Sequence, residues 1–222
     1  MTKHQLNKLD KQESTIRNLA EDFSRIATEN NGQGKIMSQF HLGRVMGMDV
    51  GKGFCHGLSI LWLAYKLKSP FGKNLLQELA GGHLESASLD ELKESVWQNH
   101  ISQQQDNEND EKGTHKAMSD LGLNWHDKKL YGGGFASGHS SLGTYISNNP
   151  GYFLLNVPGH VMAAYSCSST PIFYDPNIGE ASFTSGDSLG KFFSDYFKSP
   201  EANKQYTHGQ GGKVQVTVNR YI

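Results

Sequence analysis

Cysteine is scarce: two in 222 residues, Cys55 and Cys167. Two thiols cannot build the disulfide framework of a small secreted scaffold, and they suit a compartment where thiols stay reduced. Neither sign of charge is in excess. With 21 basic and 22 acidic side chains and a net charge of −1, there is no surplus to neutralise phosphates, and general nucleic-acid binding is excluded. Long apolar runs are missing too. The longest, Ile60-Leu61-Trp62-Leu63-Ala64-Tyr65, falls far short of the roughly 18 residues of a membrane span. Met1-Thr2-Lys3-His4-Gln5-Leu6-Asn7 has no apolar core, so no cleaved signal peptide is expected. No internal repeat is present. What remains is the composition of a soluble globular chain, long enough to bury a full core.

Residues 1–35 are polar, with sparse apolar positions at Leu6, Leu9, Ile16, Leu19, Phe23 and Ile26. Those spacings fit one helix face and predict a helix over 5–28. Asn30-Asn31-Gly32-Gln33-Gly34 then predicts a stop and a loop. We expect an N-terminal arm or leader here, helical or partly disordered. The densest apolar stretch, 54–68, leaves almost no polar face and reads as a buried helix, with Cys55 at its start. Ser88-Leu89-Asp90-Glu91 is a capping box opening a helix over 88–104, and 103–113 reads as an exposed loop before a short helix over 114–121. Residues 131–138 are glycine-rich but lack the spacing of a phosphate or dinucleotide loop. Strands are expected at 152–157, 160–165, 171–175 and 212–218. Helices first and strands later predict an α+β fold with a helical part on an antiparallel sheet.

Three residues carry chemistry. A cysteine at a helix N-terminus meets unpaired N–H groups and the positive end of the dipole, which favour the thiolate. His160 follows Pro158-Gly159 and opens a core strand, where a base meets a nucleophile from another element. Asp175 ends the next strand before Pro176-Asn177. A hairpin of these strands brings Asp175 within about 5 Å of His160, so that the carboxylate fixes the tautomer and leaves the other ring nitrogen for Cys55, the logic of a triad. His56 points off another helix face, and Cys167 reads as structural. His115, His126 and His139 have no partners at zinc spacing, and no metal is expected.

The segments Gly53-Phe54-Cys55-His56-Gly57-Leu58-Ser59-Ile60-Leu61-Trp62, Gly159-His160-Val161-Met162-Ala163 and Phe173-Tyr174-Asp175-Pro176-Asn177-Ile178-Gly179-Glu180 resemble the YopT/AvrPphB family of bacterial effector cysteine peptidases. The resemblance implies a papain-like fold over 36–222 and roles for Cys55 as nucleophile, His160 as general base and acid, and Asp175 as orienting carboxylate. It also implies a cysteine protease using no cofactor, which leaves the cell without a signal peptide and cleaves host proteins, membrane-associated ones included, in the host cytosol. Papain-like enzymes carry an oxyanion-hole amide five or six residues before the nucleophile. Here Val50 and Asp49 stand at those positions, which leaves the Cys55 N–H as one donor and Gln39 as the stand-in for the other. The same triad serves a deamidase or acyl transferase, and a papain-like fold without the second donor serves as an inactive binding module.

Overall fold

The computed structural model describes residues 3–38, 55–68, 110–133, 138–167, 170–207 and 212–222. The helix expected over 88–104, together with Gln39, Asp49 and Val50, lies outside them.

Helix α1 (Lys3–Glu29) turns its apolar stripe inward from Ile16 onward. Leu19, Phe23, Ile26 and Ala27 are buried. The Phe23 ring sits 6.1 Å from Phe173, 5.3 Å from Phe192 and 5.6 Å from Tyr196. Asn31 ends the helix in the left-handed conformation (φ 57°), which asparagine tolerates better than most residues. Where a loop is expected, the chain instead forms strand β1 (Gly32–Ile36). Glycine and glutamine carry little strand preference, and what makes β1 a strand is its antiparallel pairing along Gly179–Phe183.

Among the described residues seven strands form one antiparallel sheet: β1, β2 (Trp125–Gly132), β3 (Gly151–Val157), β4 (His160–Cys167), β5 (Thr170–Asp175), β6 (Gly179–Phe183) and β7 (Gln215–Tyr221). Their spatial order is β1-β6-β5-β4-β3-β7-β2. Strand β4, expected to end at 165, runs on to Cys167.

Both faces of the sheet are covered, which is why β3 to β5 read as continuous apolar runs rather than alternating ones. On one face Phe153, Leu155, Met162, Ala164, Phe173 and Val216 join α1 and two helices absent from the sequence reading, α4 (His139–Asn148) and α5 (Gly186–Tyr196). On the other, Leu154, Ala163, Tyr165 and Tyr174 join α2 (Cys55–Lys68) and α3 (Asp110–Asp120). Helix α6 (Pro200–Tyr206) adds Ala202 and Tyr206 to the first core.

Helix α5 is capped by Ser185, whose side chain accepts from the Ser188 N–H, and α6 by Ser199, which accepts from Ala202. Helices α4 and α5 touch backbone to backbone: a Cβ on Gly143 would lie 2.1 Å from the nitrogen of Gly190. The fold is α+β, with helical layers on both faces of the antiparallel sheet. Among the described residues no helix is long and apolar enough to cross a membrane.

Candidate active site

Helix α2 presents Cys55, Ser59, Trp62 and Lys66 to the sheet, a progression of four, three and four residues that keeps to one helical face. Each of the last three is fastened. Ser59 Oγ donates to the carbonyl of Val161 at 3.1 Å. Trp62 Nε1 donates to Glu180 at 2.8 Å, and its ring lies flat on Tyr174, 5.3 Å away at 8°. Lys66 Nζ is 3.5 Å from the same carboxylate and 4.9 Å from the Trp62 ring. With α2 bound to β4, β5 and β6 in this way, its first residue is held beside the start of β4.

That start is His160, paired with Val157 across a tight turn. His160 Nε2 is 2.8 Å from Asp175 Oδ1, which leaves Nδ1 for the thiol of Cys55, a group close enough to His160 for each to shift the other's pKa. The strand register corrects one detail of the expectation. Ala163 pairs with Tyr174, so Asp175 lies opposite Met162 and reaches His160 diagonally, still within range for long side chains.

The electrostatics follow from burial and charge together. Burial pushes the Cys55 thiol up, but the His160 charge and hydrogen bond, with the N–H groups of Val161 and His56, bring it below its ordinary value. Burial pulls His160 down, yet the charge of Asp175, then that of Cys55, raises it to about 10. Burial pushes Asp175 up, and His160, Tyr206 and the Asn177 N–H more than reverse that. Each shift favours the charged form of its group: thiolate, imidazolium and carboxylate in a row.

Asp175 is 0% exposed. Its Oδ1 also accepts the N–H of Asn177 at 2.9 Å, an Asx-turn. Its Oδ2 accepts the hydroxyls of Tyr196, at 3.0 Å, and Tyr206. The Tyr206 ring also stacks on His160, with centroids 5.3 Å apart and planes at 16°. These two tyrosines escaped the sequence reading. The period of Leu189, Phe192, Phe193 and Tyr196 signals a helix that faces the core. Nothing around Tyr206 in Asn203-Lys204-Gln205-Tyr206-Thr207 marks it.

The run from Asp175 to Glu180 thus combines several tasks. Asp175 holds the histidine, and the Ile178 N–H closes a turn on its carbonyl at 2.9 Å. Gly179 (φ 147°) lets β1 approach, since a Cβ there would meet the carbonyl oxygen of Lys35 at 2.0 Å. Glu180 anchors the cysteine-bearing helix.

Among the described residues, four other histidines are engaged elsewhere. His56 bonds Thr114, His115 bonds the Tyr221 hydroxyl, His139 donates to the carbonyl of Val214, and His126 lies near Arg220 and Asp127. Cys167 is half-buried, with no disulfide partner. Among the described residues no three His, Cys, Asp or Glu side chains are grouped to hold a metal ion. Of the two expected oxyanion donors, only the Cys55 N–H lies within the described residues.

The fold is that of the Pseudomonas avirulence protein AvrPphB, matched at a TM-score of 0.53 and 18% identity over 78% of this chain and 92% of that one. PatoxP, a cysteine protease-like domain of the Photorhabdus asymbiotica toxin PaTox, gives a TM-score of 0.47 at 16% identity over 95% of this chain and 60% of that one. The YopT domain of the Pasteurella multocida PfhB2 toxin gives 0.29 at 20% identity over 84% of this chain and 93% of that one. No curated protein matches the chain. The model of the peptidase C58 family, described as Yersinia/Haemophilus virulence surface antigen, matches residues 17–220, a span that runs from α1 to β7 and takes in Cys55, His160 and Asp175. The chain belongs to the peptidase C58 family.

Proposed function

We propose that this chain is a cysteine peptidase that cuts a protein substrate through an acyl-enzyme on Cys55. The supporting observation is the row of Cys55, His160 and Asp175, with His160 hydrogen-bonded to Asp175 at 2.8 Å and electrostatically coupled to Cys55. The Cys55 thiolate attacks the carbonyl carbon of the scissile bond. The Cys55 N–H and the Gln39 side chain, the latter assigned from sequence alone, stabilise the oxyanion. As the C–N bond breaks, His160 gives its Nδ1 proton to the leaving amine, and a thioester remains. His160 then takes a proton from water, the hydroxide adds to the thioester carbon, and collapse releases the acid and restores the thiolate–imidazolium pair. Asp175 holds Nε2–H throughout. Family membership supports a target inside a host cell, membrane-associated proteins included, reached by secretion without a signal peptide.

Sequencing of protein N-termini in a host-cell lysate treated with the parent chain or with Cys55→Ala tests this reading. New N-termini should appear with the parent alone. Equal cleavage by Cys55→Ala overturns the proposal. A substrate whose mass changes without a new terminus replaces peptide cleavage with attack on a side-chain amide.

A further inference from the structure

A carboxylate shut off from water has to exchange its hydration for fixed donors, and an ionised one can accept up to about four hydrogen bonds. Asp175 has four: two on Oδ1, from His160 Nε2 and the Asn177 N–H, and two on Oδ2, from Tyr196 and Tyr206. The two hydroxyls are themselves 3.3 Å apart. They come from α5 and α6, which pack on the opposite face of the sheet from α2. The Tyr206 ring does a second thing, since its flat stack on His160 obstructs rotation of the imidazole out of the line between Cys55 and Asp175.

We infer that Tyr206 and Tyr196 are positioning residues for the reaction proposed above: their hydroxyls aim the Asp175 carboxylate at His160, and the Tyr206 ring fixes the plane of the imidazole. This rests on the peptidase reading but goes beyond it, because it gives the triad a fourth and a fifth member. The titratable groups facing Asp175 are His160 on β4, Tyr196 on α5, Tyr206 on α6 and Tyr174 beside it on β5, with Cys55 on α2 beyond the imidazole and Glu180 on β6 beyond Tyr174. Burial and the Asp175 charge keep both phenols protonated, so they act only as donors toward the carboxylate. Losing one donor moves Asp175 toward protonation at higher pH. A proton on Asp175 removes the charge that keeps His160 cationic beside the thiolate.

The test is the pH profile of iodoacetamide alkylation at Cys55, with Cys167 as internal reference, in the parent, Tyr206→Phe, Tyr196→Phe and Tyr206→Leu. Thermal melts check that each variant folds. Tyr206→Phe keeps the stack and loses one donor, so the acid limb should rise by about one pH unit with the plateau rate retained. Tyr196→Phe should give the same shift. Tyr206→Leu also frees the ring, and its plateau should fall by about tenfold or more, a loss that Tyr206→Phe rescues. An unmoved acid limb in both phenylalanine variants, or a Tyr206→Leu plateau equal to the parent's, overturns the inference. Failure of the peptidase reading gives a different result: the parent's Cys55 then reacts no faster than Cys167 at low pH and does not respond to His160→Ala, which overturns both.

Discussion

Replacing Glu180 by glutamine should weaken the whole molecule through Lys66, a residue not involved in the chemistry. Glu180 and Lys66 are 5% and 4% exposed, with Nζ 3.5 Å from the carboxylate. The amide of glutamine still accepts from Trp62 Nε1, so the change removes a charge with little effect on shape. A buried charge left without its partner costs about 3–5 kcal/mol. A ceiling comes from the alternative of neutralising the lysine. Taking the proton off a group of ordinary pKa near 10.4 at pH 7 costs about 4.6 kcal/mol. We therefore expect a loss of about 3–4 kcal/mol, which for a chain of this size lowers Tm by roughly 10 °C.

Burial holds Lys66 below its ordinary value in the fold, against the pull of Glu180. The unfolded chain thus binds more protons between the folded and unfolded pKa values, and stability rises with pH across that window. Removing Glu180 widens the window downward, so the penalty should shrink as pH climbs toward about 10. Urea denaturation of Glu180→Gln, Lys66→Met and the double variant at several pH values measures this. Lys66→Met in the Glu180→Gln background should recover most of the loss, because both charges are then gone. A Glu180→Gln penalty under about 1 kcal/mol, the range of an exposed pair, or one that Lys66→Met leaves in place, refutes the argument.

Three further outcomes follow from the same packing. His160 rises from an ordinary 6.5 to about 10 in the fold, so its contribution to stability is complete below pH 6.5 and is lost as pH rises through about 10. The difference in unfolding free energy between the parent and His160→Ala should narrow across that range, as denaturant melts at pH 6 and pH 10 will show. Phe23→Ala, at a position 0% exposed among Phe173, Phe192 and Tyr196, should cost about 3–5 kcal/mol in urea unfolding. A cost near zero would mean that α1 is not part of the folded unit. Gly179→Ala places a Cβ against the Lys35 carbonyl oxygen at a φ alanine rarely adopts, so β1 should detach from β6. Faster amide exchange over 32–36, seen by hydrogen–deuterium mass spectrometry, would report that detachment.

Much of the frame is legible in the sequence because its signals are local. The apolar period of α1, the all-apolar run of α2 and the core strands β3, β4, β5 and β7 each announce themselves within a few residues. The elements that do not announce themselves are made by their neighbours. Strand β1 is Gly-Gln-Gly-Lys-Ile and β6 is Gly-Glu-Ala-Ser-Phe, sequences poor in strand formers that are held by each other and by β5. Strand β2 is an edge strand of Trp-His-Asp-Lys-Lys-Leu, polar on its open side, as edges that resist aggregation are. In the site, Cys55, His160 and Asp175 stand out because each sits at the end of a recognisable element. Tyr206 does not, since its significance lies in an aspartate 31 positions earlier. Lys66 reads as a cation at a helix C-terminus, and only the tertiary pairing with Glu180 explains its burial.

The sheet also runs between the parts of the site. Cys55 stands on a helix covering one face, while the hydroxyls gripping Asp175 come from helices on the other. His160, at a strand end, is where the two layers meet. Reactivity at the thiol therefore reports the docking of both cores at once, and loosening either layer should quench it before the chain as a whole unfolds. During synthesis Cys55 emerges well before Tyr206 and the interior strand β7. Until those parts follow, the growing chain carries an ordinary thiol, and the reactivity proposed for Cys55 arrives only when the sheet closes.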